Sequence, residues 1–459
     1  MAYIFYDTET SGLETEFDQI LQFAAILTDD NFNELESFEM RCQLMSHIVP
    51  SLGGLLVTKI PIATLTDKNL PTHYEFVKQI QKKLLEWSPA IFIGWNSIPF
   101  DEELMRHTFF NTLHPAYLTN TNGNKRADVM KIAHATSVYA PKSITIPINN
   151  KGNPFFKLQN IALANGYKHD NAHEALADVR MTIQMAKLIK EKAPAIWQNM
   201  MNVSKKNDVF EMVSKQPMFS LTESNYGKMN HYIVTLCSMN GKIDAIVFDL
   251  KYDPDEYKSL SVEALIEVLK GKNNPIRSLK AHRQPILMPV ELSTIVEILD
   301  IPREELTRRI KTIKEDLAFQ TKVQEAFAGK YEDRDEPEHI EQRLYSGGFV
   351  SREDELLALD FQNAGWEQKL SIVEKIKDPC MQEFAYRIIF FEKPKLLSTE
   401  IYNRLKDWKK TRLLTTDEVP WMTVPKALAE INEKMASVGQ NDSEYLMEIK
   451  KFIEDLGNV

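Results

Sequence analysis

Tyr3-Ile-Phe-Tyr-Asp-Thr-Glu-Thr-Ser-Gly12 is the stretch that decides how this chain is read. Tyr3 to Tyr6 are apolar and β-favouring, and Gly12 supplies a turn signal, so a short core strand should end near Glu9. Side chains on a strand alternate between faces, which puts Asp7 and Glu9 on the same one. Two carboxylates paired at the end of a core strand can share one metal ion.

Three further residues join this pair. Asp101 closes Gly94-Trp-Asn-Ser-Ile-Pro-Phe-Asp101 and opens a helix carrying Leu104 and Met105, where it can also serve as the N-cap. His173 and Asp178 stand five apart in His173-Glu-Ala-Leu-Ala-Asp178. On one helix they would diverge by roughly 140°. The spacing therefore puts His173 in the segment leading into the helix and Asp178 on the helix, whose buried side is marked by Leu176, Val179, Ile183 and Ala186. Clustered carboxylates repel, and their pKa values rise unless a cation neutralises them. Oxygen donors with no Cys and a single His suit Mg²⁺, or Mn²⁺ as a substitute, rather than zinc. Two such ions roughly 4 Å apart can hold the attacking and leaving oxygens of a phosphodiester in line. In this reading Asp7 bridges the ions, Glu9 and Asp178 complete the metal ligands, and Asp101 acts through water. His173, with an ordinary pKa near 6.5, is suited to take the proton of the attacking water.

At these five positions the sequence resembles the DnaQ-like 3′→5′ exonucleases of the DEDDh type. Gln22-Phe-Ala-Ala-Ile26, Phe100-Asp-Glu-Glu103, Asp128-Val-Met130, Leu158 to Gly166 and Asn171 to Val179 extend the resemblance to the bacterial exodeoxyribonuclease I branch. So do Gln284-Pro-Ile-Leu287, Leu344 to Phe349 and Phe384 to Phe391, which carry it over essentially the whole length. The resemblance implies a magnesium-dependent enzyme of DNA repair that degrades single-stranded DNA processively from the 3′ end, releasing 5′-mononucleotides. It also implies that Glu9, Arg106 and Lys157 contact substrate. Lys157 stands where that branch typically carries Arg, which keeps the charge but loses the bidentate fork. An RNA-trimming exonuclease of the same superfamily, or a non-catalytic single-stranded DNA-binding module, is the alternative.

The chain has 459 residues, 43% of them hydrophobic, enough for two or three domains. It lacks an apolar run of about 18 residues and a basic-plus-apolar leader, so a cytoplasmic protein with no membrane partner is expected. Cys42, Cys237 and Cys380 are far apart without CxxC spacing and read as inert core thiols. The net charge of −10 runs against a nucleic-acid partner, but basic residues concentrate between Lys270 and Arg283, at Arg308-Arg309-Ile-Lys311 with Lys314, and from Lys393 to Arg412. Each cluster reads equally well as a solvated helix face.

The alternation of elements predicts an α/β ribonuclease H-like exonuclease domain over 1–196. The strands Tyr232 to Leu236 and Ala245 to Leu250, around a turn at Asn240-Gly241, fall in a second unit over 197–350. The resemblance implies that this unit is an SH3-like β domain with helical additions, and Tyr331 to Glu341 reads as an exposed connection. A C-terminal helical domain should fill 351–459, its apolar spacing running through Leu356, Leu359, Ile372, Ile376, Leu446, Ile449 and Phe452. Trp95 and Phe100 read as core, while Tyr226, Phe390 and Phe391 read as core or as base-stacking platforms. A monomer is expected. The partners are single-stranded DNA, fed through a groove with Lys395, Lys409 and Arg412 as candidate lining, and the acidic tail of single-stranded DNA-binding protein, which the resemblance implies. Arg308, Arg309, Lys311 and Lys314 are the candidate rim for that tail.

Overall fold

Both faces of the first strand are apolar, and it runs through the middle of a five-stranded sheet. The computed structural model describes residues 1–168, 174–225, 228–240, 244–292, 300–330, 336–346, 348, 350–437 and 443–458. Within them, β1 (Tyr3–Thr10) pairs antiparallel with β2 (Ile20–Thr28), which pairs with β3 (Glu34–Arg41) across a turn where Asp29 accepts from the Asn31 and Asn33 amides. α1 (His73–Glu86) leads to β4 (Ile91–Gly94), parallel to β1, and α2 (Asp101–Asn111) leads to β5 (Lys125–Asp128), parallel to β4. The strand order is β3-β2-β1-β4-β5, the ribonuclease H-like arrangement.

The period-two pattern of β1 divides the core. Ile4 and Tyr6 pack with Phe76, Val77, Ile80 and Leu84 of α1 and Leu104 and Met105 of α2. Tyr3 and Phe5 face the other way, against Val179, Ile183 and Ala186 of α5 (Ala175–Lys192), which follows α3 (Val129–Tyr139) and α4 (Leu158–Ala164). Asp7 and Glu9 continue that second face, so the helix that buries Tyr3 and Phe5 also brings its first turn to the two carboxylates. At the end of β4 a Cβ on Gly94 would lie 2.8 Å from the Tyr6 carbonyl oxygen and 2.7 Å from Ser97 Cβ, so only glycine lets the chain turn off the sheet there.

The expected boundary at 196 falls within α6 (Pro194–Asn202), whose Trp197 ring packs on Phe32 at 5.4 Å. Beyond it, β6 (Phe219–Asn225), β7 (Lys228–Asn240), β8 (Asp244–Asp249), β9 (Ile276–Lys280) and β10 (Ile286–Pro289) form an antiparallel sheet of order β10-β6-β7-β8-β9. Helices Val262–Lys270, Arg303–Glu315 and Leu317–Lys330 cover it, burying Leu265, Ile313, Phe319 and Val323 against Ile233, Ile246 and Phe248. This is the SH3-like unit with its helical additions. Gly241 and Tyr226 lie outside the described residues.

The C-terminal helices grip the first unit through two separate cores. One sets Phe361, Phe384 and Ile389 against Tyr74 and Leu113, and the other sets Leu446, Ile449 and Ile453 against Leu21, Leu52 and Leu55. Leu356 and Leu359, part of the expected helical spacing, do lie on a helix but are 48% and 57% exposed, because Ala358 and Phe361 form its buried face. Glu341, expected in an exposed connection, is buried and pairs with Arg387 at 2.8 Å. Cys42, Cys237 and Cys380 are buried free thiols. No helix among the described residues is long and apolar enough to cross a membrane.

Candidate active site

The fold brings three of the expected carboxylates to one point. Asp7 and Glu9 come from the end of β1 and Asp178 from the first turn of α5, with one oxygen of each lying within 4.8 Å of the others. Asp101 approaches along the opposite face of the sheet, where Thr8 Oγ1 and the Thr8 amide donate to its Oδ1 at 2.5 and 3.1 Å. Asp101 is the first residue of α2, and the N-cap position belongs to Phe100, so Asp101 does not cap its helix. His173 lies outside the described residues. Its neighbour Glu174 holds the N-cap position of α5 and accepts from Arg41 at 2.7 Å, which fixes the end of that segment to β3.

The electrostatics of this cluster favour either bound protons or a bound cation. Burial, and then the charges of Asp101, Asp178 and Glu9, push the Asp7 carboxyl well above the usual range. Burial, Asp178, Asp101 and Glu174 push Glu9 up to about 8 against the opposing Arg41. Asp101 is pushed up to about 7, chiefly by burial, with the Thr8 hydrogen bonds opposing. An all-oxygen donor set that cannot stay ionised unaided is the environment a hard divalent ion fits.

A stability prediction follows from the sign of these shifts. With Glu9 at about 8 when folded and about 4.3 when unfolded, the metal-free folded state binds more protons between those values, so its stability falls as pH rises through that window. Melting temperature in a chelator is expected to drop between pH 5 and pH 8, and saturating Mg²⁺ is expected to abolish most of that drop. A flat profile in the chelator would contradict the clustering.

The carboxylates border an open cleft of about 490 Å³. Asp7 and Asp178 stand on its wall with Trp95, Phe155, Phe156 and Lys157. Trp95, expected in the core, is only half-buried, and its Nε1 donates to the Phe156 carbonyl at 3.0 Å. The His134 ring meets Phe156 edge-on at 4.1 Å. Lys157 is exposed at the head of α4 and lines the same cleft as Asp7 and Asp178. Sequence reasoning missed Thr8 and Phe155. The second was legible as part of the aromatic-basic run Phe155-Phe156-Lys157.

Arg106 is not brought to the cleft. It is 5% exposed and its guanidinium is held by Glu102, Asn120 and the Tyr345 hydroxyl. Arg412 is likewise buried, stacked at 4.0 Å on Trp421 and 3.6 Å from Glu341, and so cannot line a DNA groove. Phe390 is buried, and Phe391 stacks on His47 at 4.8 Å, so both belong to the packing of the C-terminal helices. Arg308 is held by Asp253, Asp255 and Glu305, and Arg309 by Glu305 and two backbone carbonyls. That leaves Lys311 and Lys314 as the exposed cations of the candidate rim.

Residues 4–186 match the exonuclease (RNase T) family profile. Exodeoxyribonuclease I of Haemophilus influenzae is 26% identical over 443 residues, spanning 92% of this chain and 89% of the relative. Exodeoxyribonuclease I of Escherichia coli K12 is 27% identical over 370 residues, 76% of each chain. The crystal structure of E. coli exonuclease I in complex with a dA16 oligonucleotide superposes with a TM-score of 0.85 at 22% identity, over 99% of both chains.

Proposed function

We propose that this chain, whose residues 4–186 match the exonuclease family profile and which is similar to exodeoxyribonuclease I along most of its length, removes nucleotides stepwise from the 3′ end of single-stranded DNA. The observation that carries this reading is the meeting of Asp7, Glu9 and Asp178 within 4.8 Å beside a cleft walled by aromatic rings and a lysine. Asp7, Glu9 and Asp178 would hold two Mg²⁺ ions, with Asp101 next to them. Bound there, the ions supply Lewis-acid stabilisation of the charge that develops on the phosphodiester and acidify an attacking water.

The remaining steps fall to the chain's own side chains. His173 takes the proton of the attacking water at an imidazole nitrogen. Trp95 and Phe155 present ring faces to bases, which every base can use, so binding is indifferent to sequence. Lys157 neutralises a phosphate as a point charge. The product is a 5′-mononucleotide, and the strand reaches the cleft through a groove bordered by the other two domains, which favours processive digestion. The acidic tail of single-stranded DNA-binding protein is the proposed protein partner, with Lys311 and Lys314 as its rim. We place the enzyme in the cytoplasm, as a monomer acting in DNA repair.

Two measurements test the substrate reading. Matched DNA and RNA oligonucleotides should be digested at rates differing by at least tenfold in favour of DNA, and an RNA preference would overturn the choice. Phe155→Ala is expected to raise KM for single-stranded DNA about tenfold, since a base–aromatic stack contributes about 1–3 kcal/mol. An unchanged KM would remove Phe155 from the substrate path.

A further inference from the structure

Asp128 ends β5, is fully buried, and spends its carboxylate on four backbone amides. Those of Met130 and Lys131, at 3.0 and 3.4 Å, open α3 in the ordinary manner of an N-cap. The other two, Asn96 at 3.0 Å and Ile98 at 3.3 Å, belong to the segment that carries Trp95 into the cleft and delivers Asp101 to the head of α2. Capping α3 does not require those two bonds. Asn96 also sits in the left-handed region at φ +61, which asparagine tolerates better than most residues and which turns the segment sharply off the sheet.

The Asp128 amide is in turn held from the second unit. Gln284 accepts from it through Oε1 at 2.8 Å and donates through Nε2 to the Met200 carbonyl at 3.1 Å. Gln284 is 2% exposed and lies at φ +46. Its two predecessors grip the same place. The His282 carbonyl accepts from Arg126 at 3.2 Å, and the Arg283 carbonyl accepts from Lys131 Nζ. Three consecutive residues of the β domain thus seize the strand end that organises the cleft segment.

We infer that Asp128 is a positioning residue for the Trp95–Asp101 segment and that the 281–284 turn of the SH3-like unit clamps it, so that docking of that unit sets the geometry of the cleft. The consequence for activity rests on the cleft being the nuclease site; the mechanical claim does not. Asp128→Asn keeps the shape but turns an NH₂ toward amide donors that need an acceptor. Gln284→Met keeps the length and leaves the Asp128 amide without its partner.

Hydrogen exchange on the full chain reads the clamp directly. In Asp128→Asn the amides of Asn96 and Ile98 are expected to exchange at least about tenfold faster than in wild type, with a smaller increase in Gln284→Met and no change at the β2 amides. On single-stranded DNA, kcat should fall about 10- to 100-fold while KM stays within about threefold, as expected when catalytic groups are misplaced rather than removed. Unchanged exchange at both amides in both variants overturns the clamp, and faster exchange with unchanged kcat in an active enzyme overturns its role in setting the cleft geometry. If Asp128→Asn fails to fold, Gln284→Met alone decides. Should wild type prove inactive on DNA, the exchange data still stand or fall by themselves, which separates this claim from the reading of the site.

Discussion

Asp7→Asn is expected to lower the rate of nucleotide release by at least about 10²- to 10³-fold, the range for deleting a preorganised electrostatic group. The surroundings of Asp7 oppose its charge, with burial and then Asp101, Asp178 and Glu9 all raising its pKa. An amide of the same shape removes that repulsion. In a chelator the variant should therefore melt at the same temperature as wild type or higher, while the Mg²⁺-induced rise in melting temperature shrinks. Those two shifts, opposite in sign, distinguish a lost ion site from a damaged fold. Near-wild-type turnover at saturating Mg²⁺ would remove Asp7 from the chemistry.

The second large effect is expected at His173. Replacing it with Ala should cost about 10²- to 10⁴-fold in kcat, the usual contribution of a positioned acid–base group, with little change in DNA affinity. In wild type the rate should rise with pH through an apparent pKa near that of histidine, because only the neutral imidazole accepts a proton. In His173→Ala that limb should disappear. A variant that keeps it would show that the proton leaves by another route.

These predictions draw on what the sequence could and could not convey. Asp7 and Glu9 were legible because an i, i+2 pair on a strand shares a face whatever the rest of the fold does. Asp178 was legible as a helical residue, and the apolar residues beside it, Val179 and Ile183, identified the face that packs on β1. Within the basic clusters, charge along the chain did not show which cations the fold has already paired. Arg308 meets Asp253 and Asp255, some fifty residues away in the chain, and Arg412 is enclosed by Glu341 and Trp421. Arg106 is held in part by a local partner, Glu102 four residues earlier on its helix, and in part by Asn120 of a short 3-10 helix and Tyr345 of a different unit, which the sequence does not show.

Leu356 and Leu359 do lie on a helix, Arg352–Asn363, as their spacing predicts, but not on its buried face. Apolar spacing of three fits a helix face, but Ala358 and Phe361 define a competing face, and only tertiary packing chose between them. Trp95, read as core, does pack against the core while also reaching the cleft wall. Its place on the cleft wall depends on the turn after Gly94 and on the two amides held by Asp128. Asp128 itself was visible only through resemblance, because nothing local marks a carboxylate that serves two helix-forming amides and two loop amides at once.

The central claim, a metal-dependent exonuclease working from the 3′ end, is tested most directly by following a single-stranded DNA oligonucleotide labelled at its 5′ end in Mg²⁺ and in chelator. In Mg²⁺ the labelled strand should shorten from its unlabelled 3′ end, with 5′-mononucleotides as the released product, and in chelator it should persist intact. Immediate release of the labelled terminal nucleotide, internal cuts, or shortening that continues in the chelator would contradict the account.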